Sequence, residues 1–228
     1  MTAVGAVLEI SDLSVGYGGA PVCGSITAAA DAGEVLGVVG FNGAGKSTAA
    51  RTIAGKQPML DGEVRVHGLP VNEDGIPFRR QVAALFDEDA FFPSLSLREH
   101  LQLVARGHSV PDPDAAVEAE LDFFALQDRA DAVPAAVSSG QRRRLLLASA
   151  LIRPSSLLIL DEPEQRLDPV MRERLGKRIR AYAAEGGTVL LVTHDPALLL
   201  ATADRCLLID DDVREIATEH AAAEIAGR

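Results

Sequence analysis

Two apolar patterns alternate along the chain. Unbroken runs at Val35 to Val39, Val82 to Phe86, Leu157 to Leu160 and Thr188 to Thr193 suit strands buried on both faces. Strict alternation instead marks Leu8-Glu9-Ile10 and Leu13-Ser14-Val15, with a phase break at Ser11-Asp12 that predicts an antiparallel strand carrying a bulge. Val22 to Ala28 reads as its returning strand. Leu60 to Gly68 reads as turn, half-exposed strand and turn. Together these make a small antiparallel layer.

Helical periods fill the remainder. Thr48 to Ala54 is closed by Gly55, and Ser96-Leu97-Arg98-Glu99 is a capping box that opens a helix to about Arg106, stopped by Gly107. Asp114 to Phe124 is apolar at Val117, Leu121 and Phe124. Asp168-Pro169 supplies a cap and first-turn proline for a helix to about Ala184, closed by Gly186-Gly187. A short helix follows Asp195-Pro196. Arg205 to Ile209 and Val213 to Ile216 form a hairpin around Asp210-Asp211-Asp212, and the Ala-rich last dozen residues read as a loosely docked helix. Residues from about 88 to 137 read as a helical insertion without strands. Strands alternating with helices imply a largely parallel α/β core, with chemistry at the strand C-terminal ends.

Charge and composition narrow the function classes. A chain of 228 residues builds one sizeable core. The net charge of −11 argues against a nucleic-acid surface, which needs a basic footprint. No apolar run approaches the length of a membrane span, and no basic start precedes an apolar core as in a signal peptide. Any membrane role is therefore expected to be peripheral. Cys23 and Cys206, in no metal-ligand spacing, are expected as reduced core residues of a cytosolic protein.

The strongest chemical signal is G-x-x-x-x-G-K-S: Gly40, Phe41, Asn42, Gly43, Ala44, Gly45, Lys46 and Ser47, followed by Thr48. It lies between an apolar strand and a helix, the context a phosphate-binding loop requires. Its glycines reach torsions other residues resist, and the helix N-terminus turns N–H groups toward a polyphosphate. Lys46 can reach the β- and γ-phosphates and Ser47 can ligate Mg²⁺. This pattern predicts nucleoside triphosphate binding.

Two further stretches join it. Asp161-Glu162 ends an apolar strand, where Asp161 would hold Mg²⁺ opposite Ser47 and Glu162 would act as general base on water. Val137-Ser138-Ser139-Gly140-Gln141 opens a helix whose free N–H groups can bind an anion. The arginines that follow, Arg142 to Arg144, read as a solvated face.

With these motifs the sequence resembles the ATP-binding subunits of ABC transporters over nearly its whole length. Gly40–Ser47 resembles the Walker A, Val137–Gln141 the signature motif, Leu157–Glu162 the Walker B, Gln165–Asp168 the D-loop and His194 the switch histidine; Tyr17 matches the aromatic that stacks on adenine. The resemblance implies a P-loop NTPase of α/β class, with a mainly parallel core sheet, an N-terminal antiparallel layer and a helical signature subdomain. That subdomain, at about 88–152, is inserted into one ABC-type domain spanning 1–228.

The implied activity is ATP hydrolysis with Mg²⁺ in a head-to-tail dimer, homomeric or heteromeric. One copy supplies Tyr17, the P-loop, Asp161, Glu162 and His194; the other presents Ser138–Gln141, with Asp168 in contact across the dimer. The dimer would drive separate transmembrane permease subunits from the cytoplasmic face, docking near Asp87–Leu97, with Phe91 and Phe92 as candidate anchors. No nucleic-acid partner is expected. Two alternatives stand beside this: a regulatory nucleotide-binding subunit with weak turnover, and an ABC-type ATPase not tied to transport.

The chain also departs from the family pattern. Asp87, or Glu88 beside it, stands where the family has a glutamine that touches Mg²⁺. Ser139 replaces a signature glycine, and Glu164-Gln165-Arg166 replaces small D-loop residues.

Overall fold

Consecutive apolar residues of a strand point to opposite faces, so an unbroken run is stable only where both faces are covered. Leu157 and Ile159 pack into one core with Leu36, Val38, Leu190 and Val192, while Leu158 and Leu160 pack into another with Val189 and Leu191. The first core lies between the central sheet and the antiparallel layer. The second lies beneath the helices that carry Leu101, Leu121, Leu145 and Leu175.

The computed structural model describes residues 6–87 and 90–227, so Glu88 lies outside the described residues. In chain order these form β1 Leu8–Ser14, β2 Gly16–Tyr17, β3 Ala20–Pro21, β4 Ile26–Ala30, β5 Val35–Gly40, α1 Lys46–Ile53, β6 Asp61–Val66, β7 Leu69–Pro70, α2 Ile76–Gln81 and β8 Val82–Leu85. Then come α3 Leu97–Gly107, α4 Pro113–Phe123, α5 Ser139–Leu151, β9 Leu157–Asp161, α6 Pro169–Ala184, β10 Thr188–Val192, α7 Pro196–Thr202, β11 Arg205–Ile209, β12 Arg214–Ile216 and α8 Thr218–Ala226. The central sheet has the order β12-β11-β5-β10-β9-β8, parallel throughout except for β12. A second, antiparallel sheet has the order β4-β1-β6-β7. Between β8 and β9 the described residues hold helices and no strand.

The expected capping box closes on α3: Ser96 Oγ accepts from Glu99 N, and Ser96 N donates to Glu99 Oε2 at 2.8 Å. The glycine stop of that helix does not hold. Gly107 is its last residue, and the left-handed exit falls on Ser109 at φ 57°. The returning strand begins later than its apolar run, at Ile26, and α2, only six residues long with Pro77 in its first turn, lacks a legible helical period.

The C-terminal helix is not loosely docked. Ala221 and Ala222 are buried against Val39, Leu199, Cys206 and Leu208, because methyl side chains let the helix approach closely. Cys206 is buried as expected, whereas Cys23 is only half-buried.

The predicted bulge is present, and its cause lies on the neighbouring strand. The β1–β6 register shifts between Ser11 and Ser14, where Asp12 has φ 48° and faces Gly62 at φ 91°. A Cβ on Gly62 would lie 2.4 Å from the Asp12 carbonyl oxygen and 2.7 Å from Leu13 Cα. Gly62→Ala is expected to lower stability by about 1–3 kcal/mol. The readout is a reduced urea midpoint at unchanged slope, and an unchanged midpoint would show that the bulge yields without strain.

Candidate functional site

β5 delivers the chain to Gly40, where a Cβ would lie 2.2 Å from the Ile209 carbonyl oxygen on β11. No side chain fits there. The loop turns through Ala44 N, which donates to Phe41 O at 3.2 Å, and reaches Gly45 at φ 93°, the N-cap of α1. No side chain caps α1 and its first turn holds no acidic residue. Gly43, at φ 83°, has open space where a Cβ would stand. Lys46 is buried, and its Nζ donates to Gly40 O at 3.0 Å and Phe41 O at 2.7 Å. The result is a concave backbone loop with a cation folded beneath it and a helix tip behind it, a cradle for an anion.

The end of β9 meets this loop. Ser47 Oγ donates to Asp161 Oδ1 at 3.1 Å, and burial pushes the Asp161 carboxyl up despite that hydrogen bond. A hydroxyl and a carboxylate side by side are hard oxygen donors of the type Mg²⁺ takes. Among the described residues no group of three His, Cys, Asp or Glu could close a metal cage. A cation here would complete its shell with phosphate oxygens and water.

Glu162 follows at φ 47°, a left-handed torsion that a non-glycine residue holds only when its surroundings fix it. Its N–H donates to Val192 O at 2.8 Å, its Oε2 accepts from Gln165 Nε2, and its Oε1 lies 3.2 Å from His194 Nε2. Glu162 and His194 thus meet, as the motifs led one to expect. They line an open cleft of about 1490 Å³ with Phe41 and Asn42 of the loop, and α8 lines it as well through His220 and Glu224. Tyr17 stands near the loop, 61% exposed as a residue, with its hydroxyl 3.3 Å from Thr48 Oγ1.

The Ser138–Gln141 stretch lies apart from that cleft, none of its residues lining it. It forms the tip of α5 through a second capping box: Gln141 N donates to Ser138 Oγ at 3.2 Å and Ser138 N donates to Gln141 Oε1 at 3.0 Å. Ser138 and Ser139 are exposed. A Cβ on Gly140 would lie 2.9 Å from the Arg166 carbonyl oxygen, so this glycine is set by close packing on the D-loop. Asp168 N-caps α6, accepting from Met171 N at 2.9 Å, and pairs with Arg144. Asp87 is exposed, with Oδ1 accepting from Arg166 Nη2 at 3.0 Å.

Two functional-site features escaped the sequence reading. The arginines after the signature are not a solvated face: Arg142 and Arg144 are half-buried and Arg143 is 1% exposed. Arg143 donates to the carbonyl oxygens of Phe86, Asp161 and Glu162 at 2.8, 2.9 and 2.7 Å. The available signal was helical phase, since residue 143 shares a face with Leu146, Leu147 and Ala150. Glu164 is also buried, its carboxyl pushed up by burial. Its Oε1 accepts from Thr193 Oγ1 at 2.6 Å and from His194 N at 3.1 Å, pinning the histidine loop. Nothing local in the sequence marks that contact. Of the two phenylalanines, Phe91 packs against the core and Phe92 is exposed beside His100.

The sequence pattern of the family described as ABC transporter matches residues 24–165. The Nod factor export ATP-binding protein I of Rhizobium meliloti (strain 1021) is 36% identical over 189 residues, covering 82% of this chain and 56% of that protein. The sn-glycerol-3-phosphate import ATP-binding protein UgpC of Paracoccus denitrificans (strain Pd 1222) is 34% identical over 209 residues, covering 90% of this chain and 59% of that protein. The chain thus spans little more than half the length of these relatives. A solved ATP binding subunit of an ABC transporter superposes with a TM-score of 0.84 at 28% identity, over 96% of this chain and 99% of that one. A dimeric ATP-binding cassette in a post-hydrolysis state, bound to ADP and Pi, shares the fold at a TM-score of 0.82 and 20% identity, over 92% and 98% of the two chains. On the matched pattern, the relatives and the fold, this chain is an ATP-binding domain of the ABC transporter family.

Proposed function

We propose that this chain hydrolyses ATP and passes the resulting motion to transmembrane subunits. One observation carries the reading: the loop, Glu162 and His194 line one cleft, with Asp161 held to Ser47 of the loop, while an exposed helix tip with phosphate-binding character stands outside it. A tip that serves ATP without meeting its own loop implies a second ATP-binding subunit, homo- or heteromeric, which brings the tip to the γ-phosphate.

In this reading Tyr17 stacks on the adenine, and residues 40–48 hold the phosphates through backbone N–H groups. Lys46 leaves its two loop carbonyls for the β- and γ-phosphates. Ser47 and Asp161 are the residues that would hold Mg²⁺, which neutralises charge on the phosphate oxygens when bound. Glu162 Oε1 accepts a proton from water as the water oxygen bonds to the γ-phosphorus. The bond from that phosphorus to the β–γ bridging oxygen breaks, leaving ADP and phosphate. His194 holds the carboxylate aimed and contacts the γ-phosphate, and Glu164 keeps the histidine backbone in place. Asp168 and the Ser138–Gln141 tip act on the partner's nucleotide.

Transmembrane partners would dock on the surface around Asp87–Leu97 and the helices that follow, with exposed Phe92 as one anchor. That assigns the domain to the inner face of the membrane. No helix among the described residues is long and apolar enough to cross a bilayer. Asp87 would be an exchangeable metal contact, since an exposed ion pair such as Asp87–Arg166 is worth only about 0–1 kcal/mol and is readily given up.

Glu162→Gln is expected to slow steady-state hydrolysis by roughly 10²–10⁴ while ATP binding persists; an active variant removes Glu162 from the general-base role. Ser139→Gly should tighten ATP-driven dimerisation in sedimentation velocity by letting the backbone approach phosphate more closely. An unchanged sedimentation profile would mean the side chain is tolerated. Asp87→Gln is expected to alter the Mg²⁺ dependence of turnover, and superimposable Mg²⁺ titrations would exclude a metal contact by Asp87.

A further inference from the structure

Burying a guanidinium is expensive, because it stays charged at any ordinary pH and leaving water costs several kcal/mol. Burial accordingly pulls the Arg143 pKa down, a shift that the charges of Asp87, Glu164 and Asp161 oppose and that of Arg166 reinforces. Residue 143 shares a helix face with Leu146 and Leu147, where an apolar side chain would fill the space without that penalty.

What the arginine adds is geometry. Its planar fork donates through Nη1 to Phe86 O, just past the end of β8, and through Nη2 to Asp161 O and Glu162 O at the end of β9. Glu162 is therefore gripped on both sides of its left-handed Cα: Val192 O takes its N–H, and Arg143 holds its carbonyl. Arg143 rides on α5, the helix whose tip is Ser138–Gln141.

We propose that Arg143 is a positioning residue for hydrolysis. It fastens the backbone of the general base to the signature helix, so the aim of Glu162 in one ATP site follows the placement of that helix tip at the other. The inference rests on the hydrolytic reading above and adds a residue to it. Lysine can supply the charge but not a planar fork to three carbonyls, whereas glutamine supplies neither the charge nor the reach.

The test compares Arg143→Gln, Arg143→Lys and Glu162→Gln with the unmodified chain, in complex with its partners. It measures kcat, the Kd of a fluorescent ATP analogue, and the thermal midpoint. Arg143→Gln is expected to lose about 10²-fold in kcat, as for a catalytic group displaced by about 1 Å. Its Kd should stay within about twofold and Arg143→Lys should recover part of the rate, the split expected when transition-state alignment alone is lost. An Arg143→Gln variant with unchanged kcat overturns the proposal. So does parallel loss of ATP affinity, or of the folded state, in both Arg143 variants, which would make the residue a structural support only. Turnover that survives Glu162→Gln removes Glu162 from the general-base role, and the positioning role falls with it, whereas absence of turnover by the unmodified complex sinks the hydrolytic reading itself.

Discussion

The covering of the central sheet on both faces is the constraint on which the rest of this molecule depends. With residues of β5, β9 and β10 buried alternately above and below, polar chemistry has nowhere to go but the strand ends. The register makes those ends meet: Val192 on β10 lies beside both Val38 on β5 and Asp161 on β9. The loop after β5, the carboxylates after β9 and His194 after β10 are neighbours for that reason.

The same constraint concentrates strain at the edge. Glu162 and Arg166, both non-glycine, hold left-handed torsions within one five-residue turn, and each such residue costs on the order of 1–3 kcal/mol. The turn persists because contacts converge on it from several elements: Val192 O from β10, Arg143 from α5, and Thr193 through Glu164. The pairing of Asp87 with Arg166 gives two of the three departures from the family pattern one physical setting. A carboxylate at the end of β8 and a guanidinium in the D-loop are each unusual alone, but together they satisfy one another.

What could be read from the sequence was whatever is encoded locally. The phosphate loop is contiguous, the two capping boxes span four residues each, and α6 ends at Ala184 where Gly186 takes a left-handed torsion. The bulge in β1 was visible as a slip of phase, although Gly62, which makes room for it, lies some fifty residues away. The unreadable parts are long-range. Arg143 and Phe86 are 57 positions apart, and Glu164 reaches Thr193 across 29, so nothing beside either residue announces its partner. A row of arginines resembles a solvated face until helical phase assigns the middle one to the core. The close seat of α8 was hidden for the opposite reason, since alanines give a weak hydrophobic signal yet bury well when a helix can come near.

An acidic chain that binds a polyanion gains by keeping carboxylates off the helix N-termini that are to attract one. Helix caps show how this is arranged. Glu99, Asp114 and Glu219 occupy the first turns of α3, α4 and α8, and Asp168 and Asp195 cap α6 and α7, so those N-termini are already matched by negative charge. α1 and α5 have neither an acidic cap nor an acidic first turn; among the α-helices of the described residues only the six-residue α2 shares this. The two helix tips assigned to phosphate are thus among the few where the positive end of the helix remains uncompensated. For an anion approaching this surface, that local field outweighs a net charge of −11 spread over the whole chain, because exposed charges beyond about 8 Å are largely screened at physiological salt.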